Sequence, residues 1–169
     1  DKFKKYMERK KMLENGAIKL EDLYKICFLG HGKFGNVYLV HNKTNAYAIK
    51  TVSKLAVNKE KKLGKYYATE RKIMLTLDHP FIIKLVKTMK NDLYCFFLLE
   101  HINGVPFSEY LASRQKKNSP MSVDEFKFYI GTLALAICYL QQNQIAHRDI
   151  KPNNIMLEST GYLKLIDFG

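Results

Sequence analysis

The sequence is poor in cysteine, and the few that it has follow no metal-binding or disulfide pattern. Its three cysteines, Cys27, Cys95 and Cys138, are odd in number, far apart and set in apolar runs. This arrangement argues against a disulfide framework and against a zinc site. Because free cysteine is among the most buried residue types, we expect each thiol to be buried and unpaired. A reducing compartment, the cytoplasm, fits such thiols best.

The sequence also lacks long apolar runs. None approaches the about 18 consecutive apolar residues that a membrane-spanning helix needs, so we expect no transmembrane segment. The first residues, from Asp1 to Lys5, are too charged for a secretory signal peptide. With 169 residues, 47% of them hydrophobic, the chain has room for one globular domain with a sizeable core.

Acidic residues are scarce, with 16 Asp and Glu against 28 Lys and Arg, for a net charge of +12. Residues 1–72 hold 18 basic and 7 acidic side chains, so nearly the whole excess lies there. Such an excess could attract nucleic acid, anionic lipid or an acidic partner surface. The lysines are scattered over several predicted elements, which favours a solvated lysine-rich face, and we expect no nucleic-acid partner.

Short runs rich in β-branched and aromatic residues predict a five-stranded antiparallel sheet. Three strands lie within residues 24–52, where glycines and the segment 41–45 supply tight turns. Two more strands, 82–89 and 93–99, flank a turn at 90–92. No internal repeat or low-complexity segment interrupts the pattern.

Helical periodicity accompanies the sheet. Residues 2–15 predict a lead-in helix, and apolar residues at intervals near three, four and seven predict a second helix over 57–77, with Gly64 as a break.

After residue 100 the character becomes helical. Ser122 and Glu125 form a capping box that begins a long apolar-faced helix over 126–140. Residues 112–120 are polar and predict a loop before it.

A glycine-rich motif, Gly30-His31-Gly32-Lys33-Phe34-Gly35, lies in the first predicted hairpin. In a dinucleotide-binding fold it would open a helix and precede an acidic residue, but here a strand continues and the acid is missing near Leu55. A P-loop is excluded because no Gly-Lys-Ser/Thr follows. Glycines let a backbone approach phosphate oxygens, so the motif predicts a hairpin lid over phosphates.

Three further motifs follow in order: Tyr47-Ala48-Ile49-Lys50, the segment from His147 to Asn154, and Asp167-Phe168-Gly169. Lys50 ends an apolar strand, where an ammonium is costly unless it is paired. In this order and spacing, the four motifs resemble the signature set of protein kinases. The resemblance covers residues 24–169.

The resemblance implies ATP and Mg²⁺ as cofactors and assigns the chemistry residue by residue. Lys50 would bind the α- and β-phosphates and be held by Glu70. Asp149 would orient the substrate hydroxyl and Lys151 would neutralise charge on the transferred group. The residues that would hold magnesium are Asn154 and Asp167.

The resemblance also implies a nucleotide pocket, with Leu99 as its gatekeeper and Ile166 below the adenine. The other residues that it assigns to this pocket are Leu29, Gly30, Gly32, Phe34, Gly35, Val37, Ala48, Lys50, Glu100, Ile102 and Met156. In the family, His147 and Phe168 have a structural role, stacking in an apolar column with Met74 and Leu85.

The expected fold is therefore α+β and bilobal, with a five-stranded antiparallel first lobe, one main helix and an incomplete helical second lobe. The expected divisions are a helix or linker at 1–23, a first lobe at 24–99 and a partial second lobe at 100–169. Because the chain ends at Asp-Phe-Gly and does not begin with Met, we expect a fragment that transfers phosphate poorly by itself.

Three segments narrow the resemblance: Leu20-Glu21-Asp22-Leu23, Asp78-His79-Pro80-Phe81-Ile82 and Leu163-Lys164-Leu165-Ile166-Asp167. They resemble serine/threonine kinases of the AGC group, especially the cGMP-dependent ones. A protein substrate and cyclic-nucleotide-binding domains in the parent chain are implied. Pro106 and Asn153 stand where these kinases usually carry acidic residues that read basic substrates. Two alternatives remain: a catalytically weak pseudokinase or scaffold, and a basic binding module for nucleic acid or anionic membrane.

Overall fold

The structure is a computed structural model that describes residues 7–8, 11, 18–32 and 35–168. Most of the helix expected over 2–15 lies outside these residues, as does Phe34 of the predicted nucleotide pocket. The chain forms two compact units. The first runs to Leu77 and resumes over Lys84–His101, and the second comprises Asp78–Ile83 and Ile102–Phe168.

The first unit contains the expected five-stranded antiparallel sheet. Its strands occur in the order β1-β2-β3-β5-β4, and every neighbouring pair is antiparallel. The strands are β1 (Tyr24–Gly32), β2 (Gly35–His41), β3 (Ala46–Ser53), β4 (Leu85–Lys90) and β5 (Tyr94–Glu100). The prediction of this sheet is confirmed.

One face of the sheet carries a hydrophobic cluster. Val40, Ile49, Phe96 and Leu98 are buried there. A short 3₁₀ turn at Leu20–Asp22 precedes β1, and the partly buried side chains that pack on the cluster include those of Ile18, Leu20 and Leu23. Apolar residues from three strands and from the preceding segment thus make the sheet stable enough to position the side chains of β3.

Two helices follow β3 and replace the single helix predicted over 57–77. Helix α1 is Lys54–Lys59 and α2 is Lys61–Thr76. The break falls at Glu60, whose backbone is extended with φ −120° and ψ 102°. Gly64 lies inside α2, so its predicted role as a break was wrong. A Cβ there would meet the Val57 carbonyl oxygen at 3.3 Å, so Gly64 lets α2 lie close to α1.

The second unit combines helices α3 (Phe107–Lys116) and α4 (Val123–Gln142) with a three-stranded antiparallel sheet. Its strands are β6 (Gly104–Pro106), β7 (Ile155–Glu158) and β8 (Leu163–Leu165). The capping box of α4 is confirmed: Glu125 N donates to Ser122 Oγ at 3.1 Å, and Ser122 N donates to Glu125 Oε2 at 2.9 Å.

Helix α3 occupies half of the segment predicted as a polar loop at 112–120. That prediction was wrong up to Lys116, although Phe107, Tyr110, Leu111 and Arg114 already had helical spacing. Arg114 ties α3 to α4, donating to Glu125 Oε1 at 2.7 Å and to the Pro120 carbonyl at 2.7 Å. The small sheet was missed as well, because strands of three or four residues show too little alternation.

The cysteines do not match the expected burial. Cys27 and Cys138 are exposed, and Cys95 is half-buried. Cys27 lies on β1, an edge strand whose residues from Tyr24 to Leu29 are all exposed, and Cys138 lies on the outward face of α4. Among the described residues, no helix is both long and apolar enough to span a membrane.

Candidate active site

The first unit pairs the predicted lysine and glutamate. Lys50 lies on β3, between Val37 of β2 and Phe97 of β5, and Glu70 lies on α2. Lys50 Nζ is 2.5 Å from Glu70 Oε1, and the two side chains are 6% and 4% exposed. Because burial costs both charges their hydration, the short contact is what makes an ammonium tolerable at this position.

Two of the motif glycines pack closely on β3. A Cβ on Gly35 would lie 1.8 Å from the Thr51 carbonyl oxygen, so only glycine fits there without moving the strands. A Cβ on Gly32 would lie 3.1 Å from Lys50 Cε. Close packing against β3 thus requires glycine at position 35. This requirement was not evident from the sequence, and it adds to the expected role of Gly35 near phosphates.

In the second unit, Asp149 is held by two neighbours. Its Oδ2 lies 2.7 Å from Lys151 Nζ and accepts from Asn154 Nδ2 at 2.8 Å. The Lys151 ammonium is the main cause that keeps the pKa of Asp149 below its usual value, and the Asn154 amide adds to it. Asp149 is therefore an ionised acceptor at neutral pH, although its side chain is about half exposed.

Asn154 holds Asp149 through its side-chain amide. It is buried, and Nδ2 also donates to the Asp149 carbonyl at 2.9 Å, so both amide protons are used and Oδ1 is left as an acceptor. The Ile166 amide donates to the Asn154 carbonyl at 2.9 Å, which brings the residue before Asp167 to this segment. Two oxygen donors suit Mg²⁺, which takes its remaining ligands from water and phosphate.

Larger metal clusters are missing from the part of the chain that the structure describes. No group of three or more His, Cys, Asp or Glu side chains there could hold a metal ion. A site built from Asn154 and Asp167 would supply only two protein ligands. Few protein ligands are typical of a magnesium ion that binds together with a nucleotide.

His147 fixes the backbone on both sides of this cluster. The Asp149 amide donates to His147 Nδ1 at 3.3 Å, and His147 Nε2 lies 3.1 Å from the Ile166 carbonyl oxygen. Because Nδ1 accepts, the proton of the neutral ring sits on Nε2. Burial lowers the pKa of His147 and favours that neutral form.

The residues of the predicted apolar column are all buried. The His147 ring lies 4.8 Å from that of Phe168, and both side chains are buried, as are those of Met74 and Leu85.

Left-handed backbone occurs at two of the motif residues. Arg148 has a φ of 70° and Asp167 a φ of 59°, values that are uncommon outside glycine. Such conformations persist where surrounding contacts impose them, and they cluster at functional sites. The hydrogen bonds of His147 to Asp149 and Ile166 flank both positions.

The predicted adenine-pocket residues are divided between the two units. In the first, Ala48 is buried, Val37 is half-buried and Leu29 is 50% exposed. In the second, Ile102 is buried and Met156 is half-buried.

Glu100, at the end of β5, is engaged with Lys84. Its amide donates to the Lys84 carbonyl at 3.0 Å, and its Oε1 accepts from the Lys84 amide at 2.9 Å. These two hydrogen bonds join the end of β5 to the residue that precedes β4.

A family profile described as "protein kinase domain" matches residues 24–169. The chain belongs to the protein kinase domain family. The motif resemblance is thereby confirmed, and so is the fold class that it implied.

The kinase domain is similar to cyclic-nucleotide-dependent kinases. It is 37% identical to the cGMP-dependent protein kinases of Toxoplasma gondii and Plasmodium berghei over 169 residues, 97% of the chain. It is 33% identical to the cAMP-dependent protein kinase type 3 of Saccharomyces cerevisiae over 157 residues, 92% of the chain and 38% of that protein. The chain spans 16% and 19% of the two cGMP-dependent kinases.

Pro106 and Asn153, for which the resemblance implied acidic counterparts, both lie in the second unit. Pro106 pairs with Met156 in the β6–β7 ladder, and Asn153 is exposed in a 3₁₀ turn at Pro152–Asn154. Sequence reasoning treated His147 only as part of an apolar column. Its contacts with the Asp149 amide and the Ile166 carbonyl were missed. The second of these joins residues 19 positions apart, which spacing along the chain does not indicate.

Proposed function

We propose that the protein to which this chain belongs is an ATP- and magnesium-dependent serine/threonine protein kinase. The observation that carries the proposal is the buried Lys50–Glu70 pair, at 2.5 Å and with side chains 6% and 4% exposed. A buried ammonium aligned by a carboxylate has no evident packing role, but it suits a group that must meet phosphate oxygens. The Asp149, Lys151 and Asn154 cluster supports the same function.

In this proposal, each side chain of the second unit has a separate role in phosphate transfer. Asp149 accepts a hydrogen bond from the substrate hydroxyl and orients it, since its carboxylate is ionised. Lys151, 2.7 Å from Asp149 Oδ2, is placed to neutralise charge that develops on the transferred group. His147 holds the Asp149 backbone in position.

The side chains of the first unit would bind the nucleotide. Lys50 would contact the α- and β-phosphates, and the glycine hairpin would offer backbone amides. The remaining pocket assignments, among them Leu29, Val37 and Ala48, are part of the same proposal. Magnesium, held by Asn154 and Asp167, would neutralise phosphate charge.

Substrate and regulation are finer parts of the proposal. The similarity to cGMP-dependent kinases supports a protein substrate and cyclic-nucleotide-binding domains in the parent chain. Neutral Pro106 and Asn153 give no carboxylate for arginine recognition, so we do not include a basic substrate motif. A cytoplasmic location rests on composition alone.

The test is transfer of the γ-phosphate from ATP to a broad serine/threonine peptide library, measured with the full-length parent protein. Asp149→Ala should reduce kcat by at least about a hundredfold, since positioned acid–base groups contribute about 10²–10⁴-fold. Asp92→Asn, in the turn before β5, is the matched control and should leave kcat unchanged. Absence of transfer to every peptide would contradict the proposal.

The pseudokinase or scaffold alternative makes a different prediction in the same experiment. It would show nucleotide or partner binding without transfer, and Asp149→Ala would change neither. The presence of Lys50, Glu70, Asp149, Asn154 and Asp167 favours the catalytic interpretation.

A further inference from the structure

We call β1 and β2 together the glycine hairpin. At its end next to Gly32 and Gly35, side chains form contacts that the roles assigned above do not use. His31 on β1 and Asn36 on β2 are register partners, next to the pair formed by Gly32 and Gly35. His31 Nδ1 lies 2.9 Å from Asn36 Oδ1, and Asn36 Nδ2 donates to Tyr38 OH at 3.0 Å. Because Oδ1 can only accept, His31 is the donor.

Aromatic side chains extend this set of contacts along the same hairpin. The Phe28 ring lies 4.8 Å from that of His31 and 5.7 Å from that of Tyr38. Lys25 Nζ lies 3.6 Å from the centre of the Tyr38 ring, which is cation–π geometry. We call these five residues, Lys25, Phe28, His31, Asn36 and Tyr38, the hairpin clasp.

The β1–β2 ladder is irregular along this hairpin. β1 is an edge strand, and its register with β2 shifts between Lys25 and Cys27 and again between Phe28 and Gly30. Glycines contribute no side-chain contacts, and they have more backbone freedom than any other residue. Of the three motif glycines, Gly30 has nothing within 4 Å of an added Cβ. The hydrogen bond between His31 and Asn36 is therefore a side-chain contact that links the two strands beside these glycines.

We propose that His31 and Asn36 are positioning residues, which hold the glycine hairpin in the geometry that receives the nucleotide phosphates. The inference rests on the proposed kinase function, and neither side chain is assigned a contact with the nucleotide. Loss of one net hydrogen bond corresponds to a factor of about two to ten in an equilibrium. His31→Ala and Asn36→Ala should therefore each raise the KM for ATP about two- to tenfold, with kcat nearly unchanged.

Two measurements test this inference. The first is hydrogen–deuterium exchange of the backbone amides of residues 30–37 in the nucleotide-free protein, which needs no activity. The second is the KM and kcat for ATP in peptide phosphorylation by the full-length parent. His41→Ala is the matched control, because His41 lies on the same hairpin at its other end and contacts the Asn42 carbonyl.

We expect both clasp variants to accelerate exchange and raise KM. The double variant should do so by less than the sum of the two single effects, since both substitutions remove the bond between His31 and Asn36. His41→Ala should change neither quantity at residues 30–37. Unchanged exchange would overturn the inference, and so would faster exchange with an unchanged KM. If the wild-type protein transfers no phosphate, the proposed function fails, while exchange still decides whether the pair holds the hairpin.

Discussion

At the scale of single residues, the Lys50–Glu70 pair has consequences for stability as well as for function. Both side chains are buried, and their contact spans 20 residues of sequence. Removing one partner of a buried pair leaves the other charge without compensation, whereas replacing both by apolar residues is often neutral.

We therefore predict that Glu70→Ala lowers the free energy of unfolding by about 3–5 kcal/mol. The double variant Lys50→Met/Glu70→Leu should recover most of that loss, because no uncompensated charge remains buried. Urea denaturation of the three proteins measures both effects. A double variant that is as unstable as Glu70→Ala would show that packing, and not charge, is the cause.

At the scale of elements, the glycine hairpin and β3 approach each other more closely than a side chain allows. An added Cβ on Gly35 would lie 1.8 Å from the Thr51 carbonyl oxygen, whereas one on Gly30 would meet nothing within 4 Å. The two glycines belong to one motif but have different physical requirements.

We predict that Gly35→Ala destabilises the protein by about 1–3 kcal/mol, the usual range for forced overpacking. Gly30→Ala should change the free energy of unfolding by less than about 0.5 kcal/mol, as surface substitutions usually do. Thermal and urea unfolding of both variants provide the comparison. If both substitutions changed the free energy of unfolding equally, the close approach of Gly35 to the Thr51 carbonyl would have no energetic importance.

The first turn of helix α4 depends on the side chain of Glu125 for part of its stability. Glu125 accepts from the Ser122 amide and from Arg114, and these hydrogen bonds lower the pKa of its carboxyl group. A lowered folded-state pKa contributes stability that is present above the unfolded-state pKa and is lost as the pH falls through the folded-state pKa.

Acidification below about pH 4.3, the ordinary pKa of glutamate, should therefore reduce the protection of the amides at the start of α4, measured as their exchange rate relative to the intrinsic rate at each pH. Glu125→Gln should remove this pH dependence while it retains an oxygen that can accept from Ser122. Asp124→Asn, the adjacent substitution, serves as the control. An unchanged pH profile in Glu125→Gln would contradict the assignment.

At the scale of the whole molecule, α4 presents apolar side chains to solvent. Phe126 and Leu135 are each 57% exposed and Ile130 is 48% exposed, while Ala136 and Leu140 face the core. Large exposed apolar patches mark association surfaces.

We predict that this chain self-associates as its concentration rises, as measured by sedimentation velocity. Phe126→Ser/Leu135→Ser should reduce the association without lowering the free energy of unfolding, because both side chains are exposed. Leu140→Ser, at a site 2% exposed, should instead destabilise the second unit. Concentration-independent sedimentation of the wild-type chain would contradict the prediction.

The sequence by itself determined the features that depend on neighbours along the chain. Runs of β-branched and aromatic residues between turn segments predicted β1 to β5. Ser122 and Glu125 marked the start of α4 because a capping box lies within one helical turn. The spacing of the four motifs indicated the kinase family and with it the candidate residues. These patterns depend on residues that are near one another in the sequence, so they can be recognised from the sequence alone.

Only the tertiary structure decided what each element packs against. It placed Gly35 against the Thr51 carbonyl and His31 against Asn36, and it left Cys27 and Cys138 exposed. Periodicity specifies an element and its faces but not the partner that covers each face. Register, close approach and exposure follow from packing between residues that are distant in sequence.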